Sequence, residues 1–213
     1  MSAELLEQLG TARLVPVVVL DDAAAAEPLA QALVAGGLPV AEVTFRTAAA
    51  VDAITAVAGR GDVLVGAGTV LTPDQVDAAV DAGARYIVSP GFYEPVVRRA
   101  QERGVLPLPG AVTASEIQTA LGAGVTTVKY FPAETSGGAK AIKALSAPFG
   151  DVRFVPTGGI GPANLAEYLA LPSVHAIGGS WMVPRDRIAE GAFDEITGLV
   201  TEAVRLASGE QTR

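Results

Sequence analysis

Short apolar runs rich in β-branched residues recur along the chain, separated by alanine-rich amphipathic segments. The segments between the runs have the pattern of helices. Two of them, 72–84 and 113–124, begin with Thr ahead of acidic residues and have Gly at or next to their last residue, which is typical of capped helices. Eight of the apolar runs have the length and composition of buried strands: 13–20, 40–45, 63–68, 86–91, 105–110, 126–131, 153–159 and 174–180.

Alternation of apolar strands with helices is typical of a parallel sheet joined by helical crossovers. Eight strand–helix units within 213 residues favour a closed α/β barrel, the (β/α)8 TIM barrel, over an open doubly wound sheet. No linker interrupts the pattern, so we predict a single domain over residues 1–213. We also expect an extra N-terminal helix over 2–10, ahead of the first strand, and a frayed tail over 207–213.

A lysine stands inside the sixth predicted strand, in the stretch TTVKYF. An ammonium group is rarely buried, because removing it from water without a partner costs several kcal/mol. The period of a strand puts Lys129 on the same face as Thr127 and Phe131. The opposite face carries Val128 and Tyr130 and would pack against helices. Lys129 is therefore expected inside the barrel, towards the carboxyl ends of the strands, where barrel enzymes have their active sites.

The second predicted strand has the same arrangement. In AEVTFR, residues 41–46, every second residue is polar: Glu42, Thr44 and Arg46. The apolar face of this strand is expected to pack against the outer helices, so the polar face should point into the barrel. A structural ion pair between Glu42 and Lys129 is one interpretation. Replacing a buried ion pair by apolar residues is often neutral or stabilising, however, so a pair retained at a barrel mouth favours a role in chemistry.

Composition and charge exclude several classes of partner. The chain has 15 Lys and Arg against 23 Asp and Glu, a formal charge of −8, and its basic residues are scattered, so we expect no nucleic-acid partner. No apolar run approaches the roughly 20 residues that span a bilayer, and residues 1–10 lack the features of a signal peptide. We therefore expect a cytoplasmic protein without a membrane partner.

The absence of cysteine and the presence of one histidine argue against a thiolate nucleophile and against a multi-histidine metal site. We predict no metal and no cofactor. A lysine in an apolar site is more easily neutral, and a neutral amine can attack a ketone to give a Schiff base. Glu42 would then transfer protons, and Arg46 would bind a planar carboxylate. These residue types together predict a Schiff-base aldolase acting on 2-keto acids.

Two glycine pairs lie at the ends of the last two predicted strands, in PTGGIGPAN (156–164) and IGGSWMVP (177–184). Barrel enzymes often bind phosphate between the loops after strands seven and eight, because glycine lets an anion approach the backbone N–H groups closely. Ser180 adds a hydroxyl group. The two pairs favour a phosphate site at this end of the barrel.

The stretches VPVVVL, EVTFRT, VGAGTVLT, VSPGF, VKYFPAE, RFVPTGGI and IGGSWMVP follow one another in the order and spacing of a known family. Nearly the whole chain resembles the 2-keto-3-deoxy-6-phosphogluconate (KDPG) aldolases of the Entner–Doudoroff pathway. These are class I lyases, within the KDPG/KHG aldolase family, that are typically homotrimers. The resemblance implies reversible cleavage of KDPG to pyruvate and glyceraldehyde 3-phosphate, and hence a phosphorylated 2-keto acid as the small-molecule partner.

The resemblance also implies roles for individual residues. Lys129 matches the lysine that forms the Schiff base, and Glu42 matches the general acid and base. Arg46 matches the arginine that binds the substrate carboxylate. The pyruvyl pocket of the family is matched by Thr69, Pro90 and Phe131, and a contact to a substrate hydroxyl is matched by Thr157. The phosphate-binding loops are matched by Gly158, Gly159, Gly179 and Ser180.

Several other polar or aromatic residues have simpler interpretations. His175 is expected near the amino end of the eighth strand in a structural role. Trp181 is expected to pack rather than to bind a ligand. The pair Asp21–Asp22 is expected to cap the first barrel helix, with a contact to substrate as the alternative because it follows the carboxyl end of a strand. Lys140 and Lys143 are expected on a solvated helix face.

Two classes of function remain open from the sequence. One is the aldolase, for which 2-keto-4-hydroxyglutarate (KHG) or 2-keto-3-deoxy-6-phosphogalactonate are alternative substrates. The other is a barrel that only binds phosphorylated metabolites. A pure binder needs the glycine loops but neither Lys129 nor Glu42, so their joint presence favours the enzyme.

Overall fold

A computed structural model describes residues 2–209 of the protein. Within these residues the chain forms eight parallel strands, each followed by at least one helical segment, in the order that the sequence predicts. The strands are β1 (Leu14–Val18), β2 (Val40–Thr44), β3 (Leu64–Gly68), β4 (Tyr86–Val88), β5 (Leu106–Leu108), β6 (Thr127–Tyr130), β7 (Arg153–Pro156) and β8 (Ile177–Gly179).

The helices cover the outside of the strands, apart from the first, which precedes β1. They are α1 (Ser2–Ala12), α2 (Ala26–Ala35), α3 (Ala50–Arg60), α4 (Pro73–Asp81), α5 (Glu94–Glu102), α6 (Ala114–Gly122), α7 (Gly138–Ser146), α8 (Leu165–Leu169), α9 (Arg185–Ala189) and α10 (Phe193–Ser208), with short 3-10 turns at Ala23–Ala25 and Glu134–Ser136.

Polar caps start the helices where the sequence predicts them. The Thr72 hydroxyl accepts a hydrogen bond from the Gln75 N–H at 3.2 Å at the start of α4. At the start of α6, the side chains of Thr113 and Glu116 form a reciprocal capping box. Such caps satisfy N–H groups that have no partner within the helix, and they fix where the chain turns from strand to helix.

The strands close into a barrel. Six of them pair in the order β5-β4-β3-β2-β1-β8, and β6 pairs with β7. A parallel bridge between Gly110 and Lys129 joins the end of β5 to β6, and a bridge between Thr157 and Gly178 joins the end of β7 to β8. The predicted TIM barrel with an additional N-terminal helix is thus confirmed.

Two apolar layers fill the structure. The outer layer lies between strands and helices and includes Ala41 and Val43 of β2. The inner layer lies within the barrel, where Leu5 and Leu9 of α1 pack with inward residues such as Tyr86. Helix α1 therefore closes the amino-terminal end, which leaves the carboxyl ends of the strands as the open mouth.

Some predicted boundaries were wrong. The seventh run, predicted as strand over 153–159, ends its strand at Pro156; Thr157 forms one further bridge, to Gly178, and the chain bends at residues 158–159. In the predicted frayed tail, α10 extends to Ser208 with a left-handed Gly209 as its cap, while residues 210–213 lie outside the described part of the chain. The single domain over 1–213 stays a prediction. Within residues 2–209, no helix has the length and hydrophobicity needed to cross a membrane.

Candidate active site

Lys129 lies in β6 with its side chain inside the barrel. Its backbone is held by the segment that follows β5, since its N–H donates to the Pro109 carbonyl and its carbonyl accepts from the Ala111 N–H, each at 2.9 Å. Only 6% of the residue is exposed. Its Nζ donates a hydrogen bond to Glu42 Oε1 at 2.9 Å. The structure thus places the strand lysine in the interior beside one carboxylate.

Glu42 reaches Lys129 from β2, almost opposite β6 in the barrel, and is 3% exposed. A glycine on the neighbouring strand makes room for it. A Cβ atom at Gly68 would lie 2.3 Å from Glu42 Oε1, so a side chain there would displace the carboxylate. The absence of a side chain at this position of β3 therefore leaves room for the carboxylate where it lies.

Tyr86 lies in the same interior layer, below this pair. Its hydroxyl donates to the Ala41 carbonyl at 2.7 Å. Burial, and to a smaller extent the negative charge of Glu42, raise the pKa of Tyr86 well above its ordinary value. The phenol is thus protonated and cannot serve as a base beside Lys129.

The residues that alternate with this pair lie on the outer face. Val128 and Tyr130 are fully buried in the outer layer, and the Tyr130 ring meets the Phe154 ring edge-on with centroids 6.1 Å apart. Thr44, inward on β2 after Glu42, donates its hydroxyl hydrogen to the Val18 carbonyl at 2.9 Å. The alternate residues of β2 and β6 therefore face the barrel interior and the helices as the sequence predicts.

A cavity of about 330 Å³ opens at the carboxyl ends of the strands. It brings together seven of the predicted substrate-binding residues: Arg46, Phe131, Thr157, Gly158, Gly159, Gly179 and Ser180. Its apolar wall includes Val17 and Val183. Phe131 links the cavity to the buried pair, because Lys129 Nζ lies 5.4 Å from the centroid of the Phe131 ring. The predicted nucleophile thus lies behind Phe131, next to the cavity that holds the predicted anion-binding groups, and does not line that cavity itself.

Two predicted substrate-binding residues do not line this cavity, and neither do the predicted catalytic residues Lys129 and Glu42. Thr69 follows β3 with a left-handed backbone, at φ 57°, and is half-buried. Pro90 follows β4 and packs its carbonyl against Gly110, where a Cβ atom would lie 2.0 Å from the Pro90 oxygen. Both belong to loops at the same end of the barrel, but the structure does not bring them to the wall of the cavity.

The two glycines in the loop after β7 adopt backbone conformations that favour glycine. Gly158 and Gly159 have φ of 101° and 79°, in the region that favours glycine. Gly179 has a different reason to be glycine, because a Cβ atom there would lie 1.8 Å from the Trp181 ring. Its lack of a side chain is required by indole packing, whether or not an anion binds nearby.

Sequence reasoning missed Arg185, which also lines the cavity. Its guanidinium pairs with Asp21 through two hydrogen bonds, Nε to Oδ2 at 2.7 Å and Nη2 to Oδ1 at 2.5 Å. The capping prediction was right for Asp22, whose carboxylate accepts from the Ala24 N–H at 2.9 Å, and wrong for Asp21. A basic residue shortly after the Gly-Gly-Ser loop was the signal that could have identified Arg185.

The remaining predictions concern residues away from the cavity. His175 Nε2 forms a hydrogen bond with the Leu6 carbonyl at 2.6 Å, which ties β8 to α1 at the closed end. Trp181 packs against the outer layer. Lys140 and Lys143 are exposed on α7. Each has the structural or surface position expected for it.

Comparisons with known proteins agree with this geometry. The KDPG and KHG aldolase family matches residues 5–199. The KHG/KDPG aldolase of Escherichia coli (strain K12) is 51% identical over 198 residues, which cover 92% of each chain.

Two solved structures are similar over nearly the whole chain. The KDPG aldolase of Legionella pneumophila, with pyruvate captured as a covalent carbinolamine intermediate, has a TM-score of 0.89 and 40% identity and covers 92% of this chain and 96% of its own. The KDPG aldolase of Zymomonas mobilis ZM4 with 3-phosphoglycerate has a TM-score of 0.89 and 39% identity and covers 97% of both chains. The protein therefore belongs to the KDPG and KHG aldolase family.

Proposed function

We propose that the protein is a class I aldolase that cleaves KDPG reversibly to pyruvate and glyceraldehyde 3-phosphate, with Lys129 as the amine that forms the Schiff base. The observation that carries this proposal is the buried Lys129–Glu42 pair beside a cavity whose charged lining residues are arginines. A carbinolamine is the adduct of an amine with a carbonyl, and it has been captured with pyruvate in the Legionella pneumophila relative.

The first step needs a neutral amine. Glu42 Oε1, 2.9 Å from Nζ, is placed to take one proton from the ammonium group. The lone pair of Nζ then attacks C2 of the keto acid, and one of the two Nζ protons passes to the ketone oxygen, which becomes the hydroxyl of a carbinolamine. Glu42 returns its proton to that hydroxyl, which leaves as water, and an iminium ion remains on Lys129.

Bond cleavage follows from the iminium. A base takes the proton of the C4 hydroxyl, a new C4 carbonyl forms, and the electrons of the C3–C4 bond move into the iminium to give an enamine. Glyceraldehyde 3-phosphate leaves. Protonation of the enamine at C3 and hydrolysis of the imine then release pyruvate and restore Lys129. Glu42 is the one carboxylate that contacts Nζ among residues 2–209, so we assign the proton transfers to it.

The proposed binding contacts follow the positions of the residues around the mouth. Arg46 lines the cavity and offers a planar pair of donors to the keto-acid carboxylate. Phe131 covers the pyruvyl part next to Lys129, and Thr157, 6% exposed, offers a hydroxyl to the substrate chain. Thr69 and Pro90, in the loops after β3 and β4, complete the pyruvyl pocket in this proposal.

The phosphate would bind across the two loops that follow β7 and β8. Their backbone groups line the far part of the cavity, together with one hydroxyl: Gly158, Gly159, Gly179 and Ser180. The Zymomonas mobilis relative has been crystallised with a phosphorylated three-carbon acid, which is consistent with a phosphate site in this family.

Cleavage of KHG is a second candidate activity, because the Escherichia coli relative is a KHG/KDPG aldolase. The same amine chemistry serves both substrates, since each is a 2-keto-4-hydroxy acid. The homotrimer implied by the family resemblance and the cytoplasmic location expected from the sequence both stay predictions.

A steady-state assay of pyruvate release tests the proposal. KDPG, KHG and 2-keto-3-deoxy-6-phosphogalactonate would be compared side by side, with and without a metal chelator. We expect the highest kcat/KM for KDPG, no effect of the chelator, and no turnover by Lys129→Arg, whose guanidinium cannot form the imine. Turnover by Lys129→Arg, or pyruvate release from none of the three acids, would contradict the proposal.

A further inference from the structure

Among residues 2–209, the charged side chains that line the cavity at the barrel mouth are arginines, and the Asp21 carboxylate at its rim pairs with one of them. Arg46 and Arg185 line it, and within residues 2–209 no carboxylate does. Arg46 follows β2, whereas Arg185 begins α9 after the loop that follows β8. A keto acid with a carboxylate at one end and a phosphate at the other matches such a pair of cations.

Asp21 holds the guanidinium of Arg185 in place. Its two oxygens accept from Nε and from Nη2, which is the bidentate geometry preferred between arginine and carboxylate. Among residues 2–209, no other acceptor contacts this guanidinium. Arginine has five N–H donors and Asp21 uses two, so donors remain for a second anion.

The other groups at this end of the cavity carry no charge. Gly158, Gly159 and Gly179 offer backbone groups, and Ser180 offers a hydroxyl. A phosphate group at neutral pH has a charge of about −2 or slightly less. Donors with a full positive charge bind such an anion about twice as strongly as neutral donors do.

We propose that Arg185 contacts the substrate phosphate and determines the preference for phosphorylated over unphosphorylated 2-keto acids. This inference rests on the proposed aldolase function and assigns one end of its substrate to a residue outside the glycine loops. Asp21 keeps the guanidinium at the rim between the loops after β1 and β8, ready to receive the anion.

A surface ion pair without a role in binding is the competing explanation. The side chains of Arg185 and Asp21 are 57% and 52% exposed, and exposed pairs stabilise proteins by about 0–1 kcal/mol. Such a pair would affect all substrates equally or not at all. Substrate discrimination therefore separates the two explanations.

The test compares Arg185→Gln with the wild-type protein on KDPG and on 2-keto-3-deoxygluconate, which has the same carbon chain without the phosphate. We expect kcat/KM for KDPG to fall about tenfold, equivalent to about 1.4 kcal/mol, mainly through KM. The values for the unphosphorylated acid should change less than about twofold. Arg185→Lys should recover part of the loss, since it keeps the charge without the planar fork.

Arg187→Gln is the matched control. Arg187 is also an exposed arginine of α9, and it pairs with Glu190 and Glu195 rather than lining the cavity. We expect this variant to cleave both acids at wild-type rates. Borohydride trapping with pyruvate, which has no distal end, adds a second comparison in which Arg185→Gln should behave like wild type.

Equal losses for the two acids, or no loss for either, would overturn the inference while leaving the aldolase assignment intact. The inference would also fail if Arg187→Gln showed the same selective loss for KDPG, because the effect would then come from the net charge of the surface. A wild-type protein that cleaves neither acid would overturn the proposed function, and this inference with it.

Discussion

Replacement of Glu42 by Gln removes the proposed proton carrier with very little change of shape. Glu42 is 3% exposed and contacts Lys129 Nζ at 2.9 Å, and an amide oxygen can accept the same hydrogen bond. Removing one partner of a buried ion pair typically costs about 3–5 kcal/mol of stability. The retained hydrogen bond should keep the cost for Glu42→Gln below that range, so the variant should fold.

The effect on catalysis should be much larger than the effect on folding. General acid and base catalysis contributes about 10²–10⁴-fold, which corresponds to about 2.7–5.4 kcal/mol of activation free energy. Tyr86, in the same interior layer, cannot replace Glu42 as the proton carrier, because burial raises the pKa of its phenol and its hydroxyl already donates to the Ala41 carbonyl. We therefore expect kcat for KDPG cleavage to fall by about two to four orders of magnitude.

The measurement is pyruvate release under saturating KDPG, coupled to lactate dehydrogenase and NADH, with thermal unfolding followed in parallel. Glu116→Gln is the matched control, since that glutamate caps α6 and does not line the cavity. It should lose a little stability and retain turnover. A folded Glu42→Gln protein with kcat within about fivefold of wild type would refute the assignment of Glu42 as the proton carrier.

Two glycine variants test the geometry of the site. In Gly68→Ala, a Cβ atom 2.3 Å from Oε1 must displace the Glu42 carboxylate, so we expect kcat to fall more than about tenfold; normal turnover would mean that Glu42 can act from another position. In Gly179→Ala, a Cβ atom 1.8 Å from the Trp181 ring should destabilise the fold by about 1–3 kcal/mol and affect phosphorylated and unphosphorylated acids equally, because the Cβ atom meets the indole. A selective loss for KDPG at unchanged melting temperature would instead mean that the added methyl group obstructs the phosphate.

The sequence was sufficient to predict the barrel and the inward position of the buried pair. Both rest on periodicity: strands alternate with helices along the chain, and alternate residues of β2 and β6 face opposite sides. Lys129 and Glu42 are polar residues at positions where the neighbouring residues are apolar, so local pattern alone identifies them. Their meeting across the barrel follows once the fold is known.

What the sequence did not predict depends on contacts between distant segments. The pairing of Asp21 with Arg185 joins the loop after β1 to the start of α9, and no local pattern marks two exposed residues as partners. Gly68 and Gly179 are likewise explained by contacts with distant or folded-back side chains, because Glu42 and Trp181 occupy the space that a Cβ atom would take. These contacts are visible only in the three-dimensional structure. Local signals also made the strand over 153–159 too long, because the β-branched Thr157 continues the run although the chain bends at the two glycines that follow.

Covalent trapping tests the central claim, that Lys129 is the Schiff-base amine, most directly. The chain contains three lysines, Lys129, Lys140 and Lys143, and the last two are exposed on α7, so they act as internal controls. Pyruvate with borohydride should add one reduced imine of about 72 Da, which peptide mass spectrometry should locate on Lys129. An unmodified protein, or an adduct confined to Lys140 or Lys143, would contradict this assignment.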